Sequence, residues 1–371
     1  MKKIVTYLFI VIIVVISTVF LLKNISNKNI HKSEQQYSSW NVEVPEVREL
    51  VNILFAITPE GLAGDLKLYR VMDEGLEYRE YYKDVLEHFT PFREHPTAKK
   101  FKEIVEHGTR DENYFKFNLA SFYYSFDGNK IIQKIDRRSG LEKHISGLED
   151  FALKSNFREF YKKHQNFYKK IIQDQKKATP VDKQWSWLES QFSNKIDEYN
   201  ILISPLVYGF HCTERIENDG HTEIVMSINA PGNLESNIGE DLQRTIFTEI
   251  DHNYVNPVSD KYKDDIDIAF KNRKVWVKSD KFNESYGNKG YPLFNEYMTW
   301  AVFLLYIHDT SSKQVLLEAE DITIKFMEEK RKLINFGNFY EELLRIYKKK
   351  KKGEKISNLY PQIIEWSSKQ N

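Results

Sequence analysis

EDLQRTIFTEIDHNYVNP, Glu240 to Pro257, is the stretch on which the fold of this chain turns. At 100° per residue its side chains sort into three sectors. Leu242, Ile246 and Ile250 form an apolar stripe, continued by Phe247 and Tyr254. Glu240, Arg244 and Asp251 share an outer face, with Glu240 and Arg244 at the favourable i,i+4 spacing. Asp241, Thr245, Thr248, Glu249 and His252 form the third sector. The stretch predicts a helix with two inward faces, one apolar and one polar. A polar face set between apolar packing costs free energy unless its groups are paired or bind something.

On its N-terminal side the chain changes character near Tyr199. Ile201-Leu202-Ile203 and Leu206 to Phe210 are rich in β-branched and aromatic residues. Glu217-Asn218-Asp219-Gly220 signals a turn, and Glu223 to Ile228 alternates after it. This predicts a β-hairpin or small antiparallel sheet, closed by Ala230-Pro231-Gly232-Asn233. On the C-terminal side, helical spacing returns from Phe294, then from about Val315 to Lys330 and from Phe339 to Lys352. The Lys348 to Lys352 run reads as a solvated helix end, where cations suit the helix dipole.

Further upstream the pattern is helical. Val47, Leu50, Val51, Leu54 and Phe55 recur at helical steps between Pro45 and Pro59, and Leu76 to Phe89 repeats that spacing. Pro91 and Pro96 mark a loop, and no proline occurs between Pro96 and Pro180. Leu148 to Ile172 is the clearest helical pattern, with Phe151, Phe157, Phe160, Tyr161, Phe167, Tyr168 and Ile171 mostly three or four residues apart. Trp185 and Trp187 are expected in core or interface, given the area they bury. There is no internal repeat. The expected fold class is therefore α+β and mainly helical. A helical region over 39–194 precedes a region over 195–371 that holds the small sheet and the C-terminal helices.

The 371 residues include 54 Lys+Arg and 54 Asp+Glu, so the formal net charge is zero. A nucleic-acid partner is not expected, because phosphate binding needs a surplus of basic residues on one face. Cys212, the single cysteine, excludes an intramolecular disulfide and any multi-cysteine metal site. No Gly-rich phosphate loop and no Gly-x-Ser-x-Gly elbow occurs. Met1-Lys2-Lys3 precedes an uncharged run from Ile4 to Leu22, and 23–38 is a polar linker. Nineteen residues rising ~1.5 Å each span roughly 28 Å, close to a bilayer's hydrocarbon core. This favours an uncleaved membrane anchor (1–22) over a signal peptide, since no small-x-small cleavage site follows. Lys2 and Lys3 are nearly balanced by Lys23, Lys28 and Lys32, so orientation rests on the two-Lys start, which suits export of the body. Cleavage would instead give a secreted or periplasmic protein.

Thr248-Glu249-Ile250-Asp251-His252 occupies the register of the zincin motif His-Glu-x-x-His. Asn295-Glu296-Tyr297-Met298-Thr299-Trp300-Ala301 resembles the gluzincin second motif Asn-Glu-x-x-x-x-Ala. The continuation His252-Asn253-Tyr254-Val255-Asn256-Pro257, with His95-Pro96 and Pro45 to Leu50, resembles a family of uncharacterised bacterial exported proteins with a zincin-like domain. The resemblance implies a metallopeptidase scaffold in which His252 and Glu296 hold Zn²⁺ and Glu249 is the general base on a zinc-bound water. In zincins the strand before the motif helix is an edge strand that aligns a peptide substrate.

The first ligand position, however, holds Thr248, whose neutral hydroxyl is a poor zinc ligand. Two protein ligands are one short of the usual catalytic three. Asn256, four residues after His252, could add an amide oxygen or orient the imidazole. Three assignments stay open. The first is an altered metallohydrolase in which His252, Glu296 and either Glu249 or Asn256 hold the ion. A di-metal variant built on the Glu249/His252 pair would need a second Glu-x-x-His, which is not found. The second is a pseudoenzyme: a noncatalytic cell-envelope module that binds peptide or protein in the same cleft. The third is coincidence, with these groups as ordinary buried polar residues.

Other residues have plainer roles. His211 and His221 flank the turn, could face each other across the hairpin, and read as solvated. His308 is twelve residues beyond Glu296, ~18 Å along a helix, and cannot share its ion. Cys212 reads as a small buried residue. Tyr286 and Tyr291 are candidate hydrogen-bond donors to an oxyanion.

Overall fold

Four strands form the sheet that carries the site. The computed structural model describes residues 40–63, 76–109, 112–207, 211–231, 238–278 and 289–370. The run Ile4 to Leu22, the linker to residue 38 and Tyr286 lie outside those residues. From Trp40 onward the chain is one compact unit, mainly helical with a small β component. Among the described residues no helix is long and apolar enough to cross a membrane.

The strands are β1 (Trp40–Glu43), β4 (Glu198–Leu202), β5 (Cys212–Asn218) and β6 (His221–Ser227), in the spatial order β1-β4-β6-β5; β2 (Tyr124–Asp127) and β3 (Lys130–Gln133) form a separate hairpin. The β5–β6 hairpin forms where the turn signal lies. Asp219 and Gly220 both take positive φ, 48° and 82°, as a two-residue primed turn requires. The sheet as a whole is mixed, not antiparallel as expected. β1 runs parallel to β4 with Trp40 opposite Tyr199, and β4 runs parallel to β6 with Tyr199 opposite Ile224. Parallel neighbours need long crossovers, and the crossover from β1 to β4 carries the whole N-terminal helical region. The sheet therefore draws strands from both sides of the division at 194.

The first helix, Glu46–Ala56, is buried on every side from Val47 to Ala56, including Arg48, Glu49 and Asn52. Its polar residues are paired inside the protein. Arg48 donates to the Asn118 carbonyl at 2.9 Å and to Ser227 Oγ at 2.5 Å, and Tyr81 donates to Glu49 Oε1 at 2.6 Å.

The long pattern from Leu148 to Ile172 is not one helix. It is broken into Ile145–Lys154, Phe157–Lys163 and Gln165–Ala178. Asn156 sits in the left-handed region at φ 55°, which asparagine tolerates better than most residues. His88 Nε2 lies 2.7 Å from the Ser155 carbonyl, so a residue from another helix partners the carbonyl at the break. Apolar periodicity survives the interruption because all three segments turn the same side to the core.

The motif helix, Ile238–Ser259, packs mainly on the helix Gly290–Thr310 and also touches Val181–Gln191 and β5. It continues through Pro257. A proline in a helix leaves the carbonyl four residues back without its donor. Here that carbonyl, on Asn253, accepts a bond from Asn194 Nδ2 at 2.7 Å. Ile246, Phe247, Ile250 and Tyr254 are fully buried, as the stripe predicts. Asp251 is fully buried too, so the expected outer face is corrected: neighbours cover it.

The Glu296 helix, Gly290–Thr310, is fixed at its start by a close approach. A Cβ on Gly290 would stand 2.9 Å from both the Asp267 Cα and the Ile266 carbonyl oxygen, a contact only glycine avoids. The Tyr291 amide donates to Asp267 Oδ1 at 2.8 Å. Phe270 stacks on Trp276 with centroids 4.2 Å apart, and Tyr297 donates to the Trp276 carbonyl at 2.7 Å. These contacts fix the rotation of the helix one residue from Glu296.

Candidate functional site

Thr248, Glu249, His252 and Asn256 lie on successive turns of the motif helix, and Glu296 lies on the helix packed against it. Thr248 is buried, and its hydroxyl donates to the Thr245 carbonyl at 3.0 Å. That local bond spends its only proton on its own helix.

Glu249 is half-buried. Burial, then the charge of Glu296, pushes its carboxyl up to about 8, with Arg331 opposing. His252 is half-buried; burial lowers its basicity, while Glu296 and Asn256 favour the charged ring. Both carboxyl oxygens of Asp251 are buried without a hydrogen-bond partner, and burial followed by the charges of Glu249 and Glu296 holds that acid well above its ordinary range. Glu249, Asp251, His252 and Glu296 thus share one electrostatic neighbourhood. Burial and like charge thus favour the protonated forms of Glu249 and Asp251 and the uncharged ring of His252.

Glu296 is different, because it has a cation of its own. Arg331 Nη2 donates to Glu296 Oε2 at 2.6 Å. The carboxylate side chain is 7% exposed and the arginine's 27%. The guanidinium also lies 5.4 Å from the centre of the Trp300 ring, one helical turn beyond Glu296. Arg244, on the motif helix, lies 5.2 Å from the same ring and 5.3 Å from that of Phe326, which stacks on Trp300.

Unusual backbone sets Arg331 in place. Lys313–Lys325 is α-helical, but Phe326–Lys330 is a π-turn, in which the Arg331 amide reaches back five residues to the Phe326 carbonyl at 3.0 Å. Lys332 follows at φ 61°. Sequence reasoning missed Arg331. Its one signal was the Lys330-Arg331-Lys332 run, which reads as an ordinary basic helix end.

These residues do not fit a zinc ion. Among the described residues no three His, Cys, Asp or Glu side chains converge as metal ligands. Thr248 turns its hydroxyl into its own helix, and one oxygen of Glu296 is held by a guanidinium. A positive charge already stands beside the carboxylate that would serve as ligand, and it would repel a second cation.

The remaining candidates stand apart. The hairpin register pairs Asn218 with His221 and Cys212 with Ser227, so His211 is at the opposite end from His221 and the two do not face each other. His221 is exposed beside Glu198 at 3.4 Å. His308 pairs with Asp309 at 2.9 Å. Tyr291 donates to Asp260 Oδ1 at 2.7 Å, and burial followed by that bond pushes its hydroxyl up to about 12. Trp185 is buried edge-on against Tyr199, and Trp187 packs on Tyr306. Comparison with family models, curated proteins and solved structures returns no match for this chain.

Proposed function

We propose that the chain is a cell-envelope protein whose zincin-like body binds a peptide or protein segment between the motif helix and the Glu296 helix without hydrolysing it. The observation that carries this is the Arg331–Glu296 ion pair, which commits the third-ligand position to a protein cation. The order of hairpin, motif helix and Glu296 helix supports the zincin-like assignment, as does the shared field of Glu249, His252 and Glu296. The strand just before the motif helix, β6, is interior and not the expected edge strand; β5, one of the sheet's two edge strands, packs on the motif helix. Its backbone would run beside an extended ligand in the manner of strand addition. The uncharged run Ile4 to Leu22 would tether this body to the membrane.

A metal-dependent peptidase on the same scaffold would need Glu296 released from Arg331 and a third ligand supplied. Metal analysis of full-length protein purified without chelator decides between the two. The expected result is zinc at background, unchanged in His252→Ala, with no cleavage of a mixed peptide library. Stoichiometric zinc that disappears in His252→Ala would overturn the noncatalytic assignment.

A further inference from the structure

Arg331 has an inner and an outer end. Its Nη2 is spent on Glu296, but its other N–H donors find no partner among the described residues, and the side chain stays partly open to solvent. A guanidinium carries five N–H donors in a flat fork that matches a carboxylate. Holding that fork in a π-turn followed by a left-handed lysine is costly, and π-turns and strained backbone concentrate at functional sites.

The surroundings narrow the ligand. Trp300 presents one indole to two guanidinium groups, Arg331 at 5.4 Å and Arg244 at 5.2 Å, while among the described residues Glu296 is the carboxylate hydrogen-bonded to Arg331. The apolar wall of Trp300 and Phe326 lowers the local dielectric and strengthens any charge-assisted bond made there. A cation already half-compensated by Glu296 suits a planar monoanion. A phosphate dianion is usually gathered by several cations.

We propose that the outer edge of Arg331 receives a carboxylate of the bound peptide, so that the site selects ligands with a free acid group. This rests on the noncatalytic peptide-binding assignment above and adds to it the chemistry of the ligand. Arg331 contacts the ligand, Glu296 positions Arg331 from behind, and Trp300 is the reporter at the contact.

The test uses the full chain in detergent, labelled with 5-fluorotryptophan, with the Trp300 fluorine resonance assigned through Trp300→Phe. Three probes are titrated: N-acetyl-dialanine, its C-terminal amide, and an amidated N-acetyl peptide bearing one glutamate side chain. The acid is expected to move the Trp300 resonance saturably, at a concentration about tenfold lower than the amide or better. The glutamate probe tells a chain terminus from an acidic side chain as the source of the group. Arg331→Gln should erase the preference for acid over amide, and Arg331→Lys should keep part of it. Equal response to acid and amide overturns the proposal, as does a preference that survives Arg331→Gln. If Arg331→Gln fails to fold, shown by collapse of the other tryptophan resonances, the acid–amide comparison in the unmutated chain still decides. Zinc content of the same sample is read separately, so failure of the noncatalytic assignment is distinguishable from failure of carboxylate selection.

Discussion

Arg331 and Glu296, thirty-five residues apart in sequence, meet at 2.6 Å across the inner end of the site. The carboxylate that the resemblance offers to a metal is bonded instead to a fixed organic cation. A guanidinium stabilises negative charge and orients a planar partner, but it has no open coordination position and cannot lower the pKa of a bound water as zinc does.

If the scaffold is a zincin with its ion displaced, restoring the ion needs two changes. Thr248→His alone should leave zinc near background, because Arg331 still holds Glu296. Thr248→His with Arg331→Met should bind zinc at least about tenfold more tightly than either single change, since two imidazoles on one helix face and a freed carboxylate make three ligands. Competition with a chromogenic chelator measures this. Tight binding by Thr248→His alone would show that the ion pair does not block the position.

Lys332 holds φ at 61°, a conformation that costs an ordinary residue ~1 kcal/mol or more. Lys332→Gly should therefore stabilise the protein by about 0.5–1 kcal/mol in urea unfolding, while Lys332→Ala should give no such gain. The comparison tests whether the turn that places Arg331 is strained in solution. A loss of stability in the glycine variant would mean that the lysine side chain, not the backbone, matters there.

How far these features could be seen in the sequence depended on the range of the interactions. The helix Leu76–Phe89 and the stripe of Ile246, Ile250 and Tyr254 follow from apolar spacing, because burial of one face is a local pattern. The turn at Asp219-Gly220 is equally local. The parallel pairing of Trp40 with Tyr199 is not, since nothing near Trp40 specifies a partner so distant in the chain. Asp251 looked outward because helical geometry shows which residues share a face but not which faces neighbours cover. Glu249, His252 and Glu296 were picked out by motif spacing, whereas Arg331 depends on a π-turn that has no compositional signature.

Glu49 gives the fold a pH dependence that can be isolated. It is fully buried and takes a bond from Tyr81 at 2.6 Å. Burial pushes its carboxyl up to about 7, while bonds from Tyr81 and Ser204 and the charge of Arg48 oppose the shift. The folded protein therefore holds a proton that the unfolded chain releases near its ordinary value. The stability from this proton is complete below that value, falls as pH rises toward 7, and is flat above it. The loss is on the order of 3 kcal/mol at most. Urea unfolding at pH 5 and pH 8 should show the wild type losing this component and Glu49→Gln lacking it. Identical pH profiles for the two proteins would mean that Glu49 is ionised in the folded state.

Cys212, half-buried at the start of β5 rather than fully buried as expected, has its thiol pushed up to about 12 by desolvation and then the charge of Glu249, with Arg48 opposing. Only the thiolate attacks electrophiles, and at pH 8 such a thiol is almost wholly protonated. Iodoacetamide should therefore alkylate Cys212 in the folded protein about a thousandfold more slowly than in the urea-unfolded chain, in proportion to the lost thiolate. The slowing separates two roles for the residue beside the motif helix. A nucleophile would be activated by its surroundings, and folding would speed the reaction. A small side chain closing the end of the sheet is shielded by folding instead. Matching rates in the folded and unfolded chains would show that the thiol is neither buried nor held protonated, and the packing of β5 on the motif helix would then have to be looser than it is here.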